Sequence, residues 1–383
     1  MKEIYFLFAC VLLSCQRTPA IFPAPDVQET PSAYEADAGT PKILRYRGTN
    51  LSGAEFGVAI PGEPGKDYQY PDPSDVDYFQ SLPFAPLSIS RPSQAPDRAS
   101  SGSAGMNHIR LPFRWERLQP HLRGALVEAE WKRLAYVVDY ATKKGMGVTL
   151  APFGGFRHGA DPELARGGYG KTVSEAEIAD FWGRVAARFK DNPLVSINIT
   201  NEPHDIPTET VVKLDNAAIA EIRAVGFQGM ILAPGGGWTG GGHWGASWYG
   251  TPNAVAMTSV GVGDPNVVFE VHQYLDDKAN GTGDCVSADI GVTRLSGFTA
   301  WLRKEHRKGF LGEFAGINTS MCKEAVTKML AYVEANADVF VGWDWWGAGQ
   351  WSFATTYPLS IGPSDPPKAQ LGWLIPFLGG VHR

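Results

Sequence analysis

With 383 residues the chain can bury a large core, and one α/β barrel with long loops fits that length as well as two ordinary domains do. Its formal net charge of −6, from 40 Asp and Glu against 34 Lys and Arg without basic runs, argues against a nucleic-acid partner, which needs a concentrated cationic surface. The 12 Trp, 13 Tyr and 19 Phe, many beside Gly and polar residues, suit flat surfaces that stack on a neutral partner such as a sugar ring.

The chain opens with MKEIYFLFACVLLSCQ, one Lys followed by an apolar run from Ile4 to Leu13 that is too short to span a bilayer. The end of that run, LLSC, resembles the lipobox of bacterial lipoprotein signal peptides. On that reading residues 1–15 include the leader and Cys15 is the lipidated first mature residue. A plain secretory signal cut nearby is the alternative. Either way the mature protein is exported, extracellular or at the cell surface, and meets a membrane only through such a lipid anchor. Residues 16–43, with Pro19, Pro23, Pro25, Pro31 and Pro41 and no apolar period, read as a Pro-rich linker. Cys10 and Cys15 belong to the leader, so Cys285 and Cys322 are the two thiols left for an oxidising compartment, which suggests one disulfide.

From residue 44 onward strand-like and helical stretches alternate. Eight segments read as strands: 43–51, 107–113, 147–153, 195–202, 230–235, 267–274, 309–314 and 339–346. Between them Trp131, Leu134, Ala135, Val138 and Ala141 form one apolar stripe closed by Gly145. Ser174 and Glu177 have capping-box spacing ahead of Ile178, Phe181, Val185 and Phe189, and helices are predicted over 208–224, 290–306 and 320–336. Eight alternations without a glycine fingerprint after the first strand predict a (β/α)8 TIM barrel over 44–383 rather than a dinucleotide-binding sheet. The Ser- and Pro-rich stretch 81–104 reads as a disordered insertion on the barrel face opposite the site.

Chemistry in such a barrel sits at the carboxyl ends of its strands. The polar residues predicted there are Arg110, Asn201, Glu202, His272, Tyr274, Glu313 and Trp346. Within VSINITNE the odd positions from Val195 to Ile199 are apolar, and a two-residue period carried onward sets Glu202 on the polar face. Glu202 and Glu313 are the carboxylates at strand ends with no basic neighbour in sequence, and a carboxylate pair is what glycoside hydrolysis needs.

In the order GAEFG, IRLPFRWERLQP, NEPHD, FEVHQYLD, FLGEF and WWGAG, the chain resembles glycoside hydrolase family 5, the cellulase A family, and within it secreted β-1,4-endoglucanases. The resemblance spans essentially the whole barrel. It implies a retaining double displacement with Glu202 as acid/base and Glu313 as nucleophile. It further implies that Asn201 bonds the sugar 2-hydroxyl, that Arg110 and Tyr274 hold Glu313 ionised and aimed, and that His272 contacts substrate or the carboxylates. Trp346 would be the floor under the sugar, and Trp238 in GGGWTGG a further stacking platform or a packing residue. The family pairs a cysteine after the sixth strand with one after the seventh, here Cys285 and Cys322. It implies no metal and no cofactor, a monomer, and a β-glucan polysaccharide or oligosaccharide as partner.

One departure stands out. Where the family shows Asp, His and Asn after the third strand, this chain has Ala151, Phe153 and Gly154. Strand parity points Phe153 inward, so an apolar ring replaces an imidazole, and restoring Phe153 to His and Gly154 to Asn is expected to raise turnover. Mannanase or another β-glycanase activity, or a glycan-binding surface lipoprotein that does not cut, are the competing readings.

Overall fold

The computed structural model describes residues 43–57, 59–82, 105–159, 170–350 and 357–378. The chain divides into the units Met1–Pro41 and Lys42–Arg383. The leader with Cys15, the linker up to its last residue, and residues 83–104 of the insertion lie outside the described residues.

Eight parallel strands close into a barrel: β1 (Tyr46–Leu51), β2 (His108–Arg114), β3 (Gly147–Phe153), β4 (Val195–Asn198), β5 (Ile231–Pro234), β6 (Val267–His272), β7 (Gly309–Glu313) and β8 (Phe340–Ala348). Each strand pairs with its successor and β8 returns to β1, so no edge is left open. Each of the eight predicted segments overlaps one of these strands, although β2 runs past its segment to Arg114 and β8 past its segment to Ala348. Among the described residues six helices have eight residues or more: α1 (Pro73–Gln80), α2 (Glu128–Lys143), α3 (Glu175–Phe189), α4 (Thr208–Ala224), α5 (Ile290–Lys304) and α6 (Ser320–Ala335).

Local chemistry explains the helix starts and faces. At α3 the predicted capping box is present, the Ser174 N–H donating to Glu177 Oε2 at 2.6 Å. The buried face of α2 is Leu134, Val137, Val138 and Ala141, one turn-spaced stripe against the barrel. Trp131 is only half-buried and meets Phe189 of α3 at a ring separation of 4.8 Å.

The barrel interior changes character along its axis. At the amino-terminal end Tyr46, Leu232, Val268 and Phe310 form a small apolar cluster separate from the main core. Above it His108 lies 2.9 Å from Asp344 and 3.0 Å from Thr149 Oγ1. Higher still the interior is ionic, centred on Arg110, which is fully buried. Gly312 makes room for this layer, because a Cβ there would come within 2.2 Å of Glu270 Oε1.

The connection from α1 to β2 closes on itself at the amino-terminal end of the barrel. The Met106 N–H donates to the Phe79 carbonyl at 2.9 Å, so both ends of the 81–104 stretch are tied together.

Candidate active site

The sequence period carries β4 to Glu202, but the strand ends at Asn198. A series of bonds then steers the chain over the barrel mouth: Ile199 N–H to Leu232 O at 3.1 Å, Asn201 N–H to Pro152 O at 2.9 Å, and Trp182 Nε1 to Ile199 O at 3.0 Å. Glu202 follows with φ +47°, a left-handed conformation that non-glycine residues adopt rarely. Its side chain therefore reaches the cavity through a turn and not through strand parity. His204 Nδ1 sits 2.7 Å from the Glu202 carbonyl and locks that turn.

Arg110, from the middle of β2, is the hub. Its Nε donates to Glu270 Oε1 at 3.0 Å; its Nη1 donates to Asn50 Oδ1 at 2.8 Å and Glu313 Oε1 at 2.9 Å; its Nη2 donates to Asn198 Oδ1 at 3.0 Å and Asn201 Oδ1 at 2.7 Å. A guanidinium suits this role because its planar fork presents five donors at once. Glu270 is held in turn by Asn198 Nδ2 at 2.6 Å. Arg110 takes the Asn201 oxygen, so the Asn201 amide NH2 is left to face the cavity.

Glu313, at the end of β7, accepts from Arg110 on one oxygen and from the Tyr274 hydroxyl on the other, at 2.8 Å. Burial is the largest influence and leaves its carboxyl above the ordinary range, with His272 and Arg110 opposing part of that rise. The phenol of Tyr274 is raised well above its usual value, first by burial and then by Glu313, so it stays a donor. His272 lies between the two acids, with Nδ1 2.7 Å from Glu202 Oε1 and 3.5 Å from Glu313 Oε2. Its Nε2 is 3.6 Å from Glu270 Oε1. Burial alone would push this imidazole down, but Glu313, Glu202 and Glu270 together raise it to about 10.

One oxygen each of Glu202 and Glu313 approach within 4.8 Å, with a His272 nitrogen in the same group. Three such donors have the spacing to hold a cation; here His272 lies at hydrogen-bond distance from Glu202 and bridges the two acids. The neighbouring trio of Asp284, Cys285 and Cys322 is unsuited to one, because its sulfurs are joined at 1.99 Å in a disulfide between the loop after β6 and the first turn of α6.

These groups open onto a cavity of about 500 Å3, lined also by Phe153, Trp238 and Trp346. Phe153 does point inward, and its ring stacks on Trp346 with centroids 6.0 Å apart and planes at 26°. Gly154 corrects the sequence reading: its φ is +139° and a Cβ would lie 2.7 Å from the Arg157 carbonyl, so an Asn there is incompatible with this loop. Trp238 is 40% exposed and stacks on His204 at 4.7 Å with planes only 8° apart.

Sequence reasoning brought Arg110, Asn201, Glu202, His272, Tyr274, Glu313, Trp238 and Trp346 to this one mouth, and missed Asn50, Asn198, Glu270 and Trp248. The first three are fully buried on β1, β4 and β6, where each needs a polar partner that only the assembled barrel supplies.

The family model for cellulases, glycosyl hydrolase family 5, matches residues 89–349. An endo-beta-1,4-glucanase B from Aspergillus niger is 33% identical over 326 residues, covering 84% of this chain and 86% of its own. An endo-beta-1,4-glucanase A from Emericella nidulans is 35% identical over 314 residues, covering 80% and 84%. Among solved structures, XacCel5A in complex with cellopentaose has a TM-score of 0.76 at 36% identity, covering 87% of this chain and 99% of that one. The endo-beta-1,4-glucanase Xac0029 from Xanthomonas axonopodis pv. citri has a TM-score of 0.77 at 35% identity, with 88% and 98% covered.

Proposed function

The chain belongs to glycosyl hydrolase family 5, and from that premise we propose that it is a retaining endo-β-1,4-glucanase that cuts internal bonds of β-glucan. The observation that carries the reading is the approach of Glu202 and Glu313 within 4.8 Å across an aromatic-walled cavity. That gap is the retaining spacing of about 5 Å and too small for the water that an inverting pair must admit.

Environment divides the roles. Glu313, with a side chain 5% exposed and two strong donors on it, is the nucleophile. Glu202, 26% exposed on a turn that water reaches, is the acid/base. In the first step a Glu313 oxygen bonds the anomeric carbon as the glycosidic C–O bond breaks, and the Glu202 proton passes to the leaving oxygen. In the second step Glu202 takes a proton from water, the water oxygen bonds the anomeric carbon, and Glu313 departs as a carboxylate. One negative charge thus moves from Glu313 to Glu202 and back. The His272 cation, within 3.5 Å of both, stays close to that charge in either place. The Asn201 amide is poised for the sugar 2-hydroxyl, and Trp346 with Phe153 offers an apolar face to the ring.

At the other end of the chain the Ile4–Leu13 run and the LLSC that follows support export, with Cys15 as acylation site. The activity is tested by release of reducing ends from carboxymethylcellulose by wild type and Glu313→Gln, with β-mannan and xyloglucan in parallel. Release that is lost on substitution supports the enzyme; equal and negligible release from both refutes it in favour of glycan binding. Product anomers followed by proton NMR must be β at first appearance, and an α product overturns the retaining mechanism.

A further inference from the structure

Tyr274 stands two residues past the end of β6, so the strand ladder no longer fixes its backbone. Yet its hydroxyl meets Glu313 Oε2 at 2.8 Å, and a bond of that kind fades steeply when distance or angle drifts. Something else must hold the segment still. The carbonyls of residues 274–276 go alternately to two partners. That of Leu275 accepts from the Val286 N–H at 3.0 Å, in a loop tied to α6 through the Cys285–Cys322 disulfide. Those of Tyr274 and Asp276 both accept from a single atom, Nη1 of Arg294 on α5, at 2.7 and 2.9 Å.

The second of these anchored residues carries the effect back to the ring. Asp276 is buried, and its Oδ1 accepts from the Asn280 N–H at 3.0 Å and the Gly281 N–H at 2.7 Å, which folds the loop over. Gly281, at φ +78°, then lies so close to the Tyr274 ring that a Cβ there would come within 3.0 Å of Cδ1. One guanidinium therefore fixes the phenol twice, through its own carbonyl and through the loop packed against its ring. Arg294 itself is not among the described residues that line the catalytic cavity. Without it neither carbonyl is orphaned, since Gln273 Nε2 still donates to Tyr274 O at 2.8 Å and the Ala279 N–H to Asp276 O at 3.0 Å. The common anchor is what would be lost, and a reacting group displaced by a fraction of an ångström acts less well.

We infer that Arg294 is a positioning residue for the reaction: by clamping the carbonyls of Tyr274 and Asp276 from outside the cavity, it keeps the Tyr274 hydroxyl on Glu313. The inference rests on the endoglucanase reading above, with Glu313 as nucleophile. It separates Arg294 from a mere loop staple, because a staple would affect folding without touching the ionisation of Glu313.

The test is a double-mutant cycle on the intact enzyme, read as pH profiles of kcat/KM with 4-nitrophenyl β-cellobioside. Arg294→Met, which keeps the stem and loses the donors, should lower kcat/KM by about fivefold or more and move the acidic limb upward, the direction in which a weakened bond to ionised Glu313 must shift it. In a Tyr274→Phe background, where the bond is already gone, the same substitution should cost no more than about twofold and leave the limb in place. Arg294→Lys, which keeps a cationic donor, should recover most of the loss. Arg294→Gln, shorter and neutral, is read in the same way if Arg294→Met melts too early to assay. Equal fold losses in the two backgrounds, or an acidic limb unmoved by removal of the donors, overturn the inference. A wild-type protein that does not cleave the glycoside overturns the endoglucanase reading itself.

Discussion

Tyr274→Phe removes one oxygen from the site and keeps the ring, so its effect can be worked through. The lost bond is the 2.8 Å donation to Glu313 Oε2. No other donor replaces it, since His272 Nδ1 stands 3.5 Å from that oxygen, beyond a good hydrogen bond. A hydrogen bond to a charged acceptor contributes about 1.5–3 kcal/mol. The bond favours ionised Glu313, so its loss moves the acidic limb of kcat/KM upward, by about one to two pH units at 1.36 kcal/mol per unit. The same bond strengthens as Glu313 departs in the second step, which makes departure slower by up to about 10- to 150-fold. With 4-nitrophenyl β-cellobioside, whose first step is fast, the glycosyl-enzyme should accumulate and stopped-flow absorbance should show a burst of nitrophenolate. An unmoved acidic limb together with a linear time course would refute the argument that Tyr274 holds the nucleophile ionised.

Phe153→His places a donor opposite the sugar where an apolar ring now stacks on Trp346; one added neutral hydrogen bond, at about 0.5–1.5 kcal/mol, predicts a twofold to tenfold rise in kcat/KM on β-glucan, roughly, and no rise in a folded variant counts against it. Glu55 is buried, accepts from the Gly53 N–H at 2.7 Å, and is raised from 4.5 to about 7, chiefly by burial against that bond. A carboxyl that keeps its proton longer folded than unfolded stabilises the fold at low pH, and this is lost as pH rises from about 4.5 to about 7. Glu55→Gln, neutral throughout, should therefore melt higher than wild type at pH 8 and lose that advantage at pH 4, by calorimetry; parallel melting curves at the two pH values would refute the assignment.

The barrel was legible because eight apolar segments recur with helical stripes between them, and a period survives whatever the loops do. Glu202 and Glu313 were legible as motif residues, but the way Glu202 reaches the site was not. A two-residue period says nothing about a left-handed φ of +47°, which depends on bonds to Pro152, Leu232 and Trp182 from three other parts of the chain. Glu270 is hidden for a related reason: inside VVFEVH one acid looks like noise until Arg110 from β2 is seen against it. The Gly154→Asn restoration failed on backbone shape, since a glycine in LAPFGG does not announce that its φ is +139°. Trp248 sits in a Gly-rich loop without a period, where no pattern separates a platform from a packing residue.

The bond between Met106 and Phe79 gives the underside of the barrel a ready seam. With the two edges of that seam already stitched, the run between them can be traded for a short turn, or lengthened to carry a fluorophore or a bead, without retraining the register of β2. The seam lies beside the first residues of β2, at the opposite end of the barrel strands from Glu313 at the end of β7.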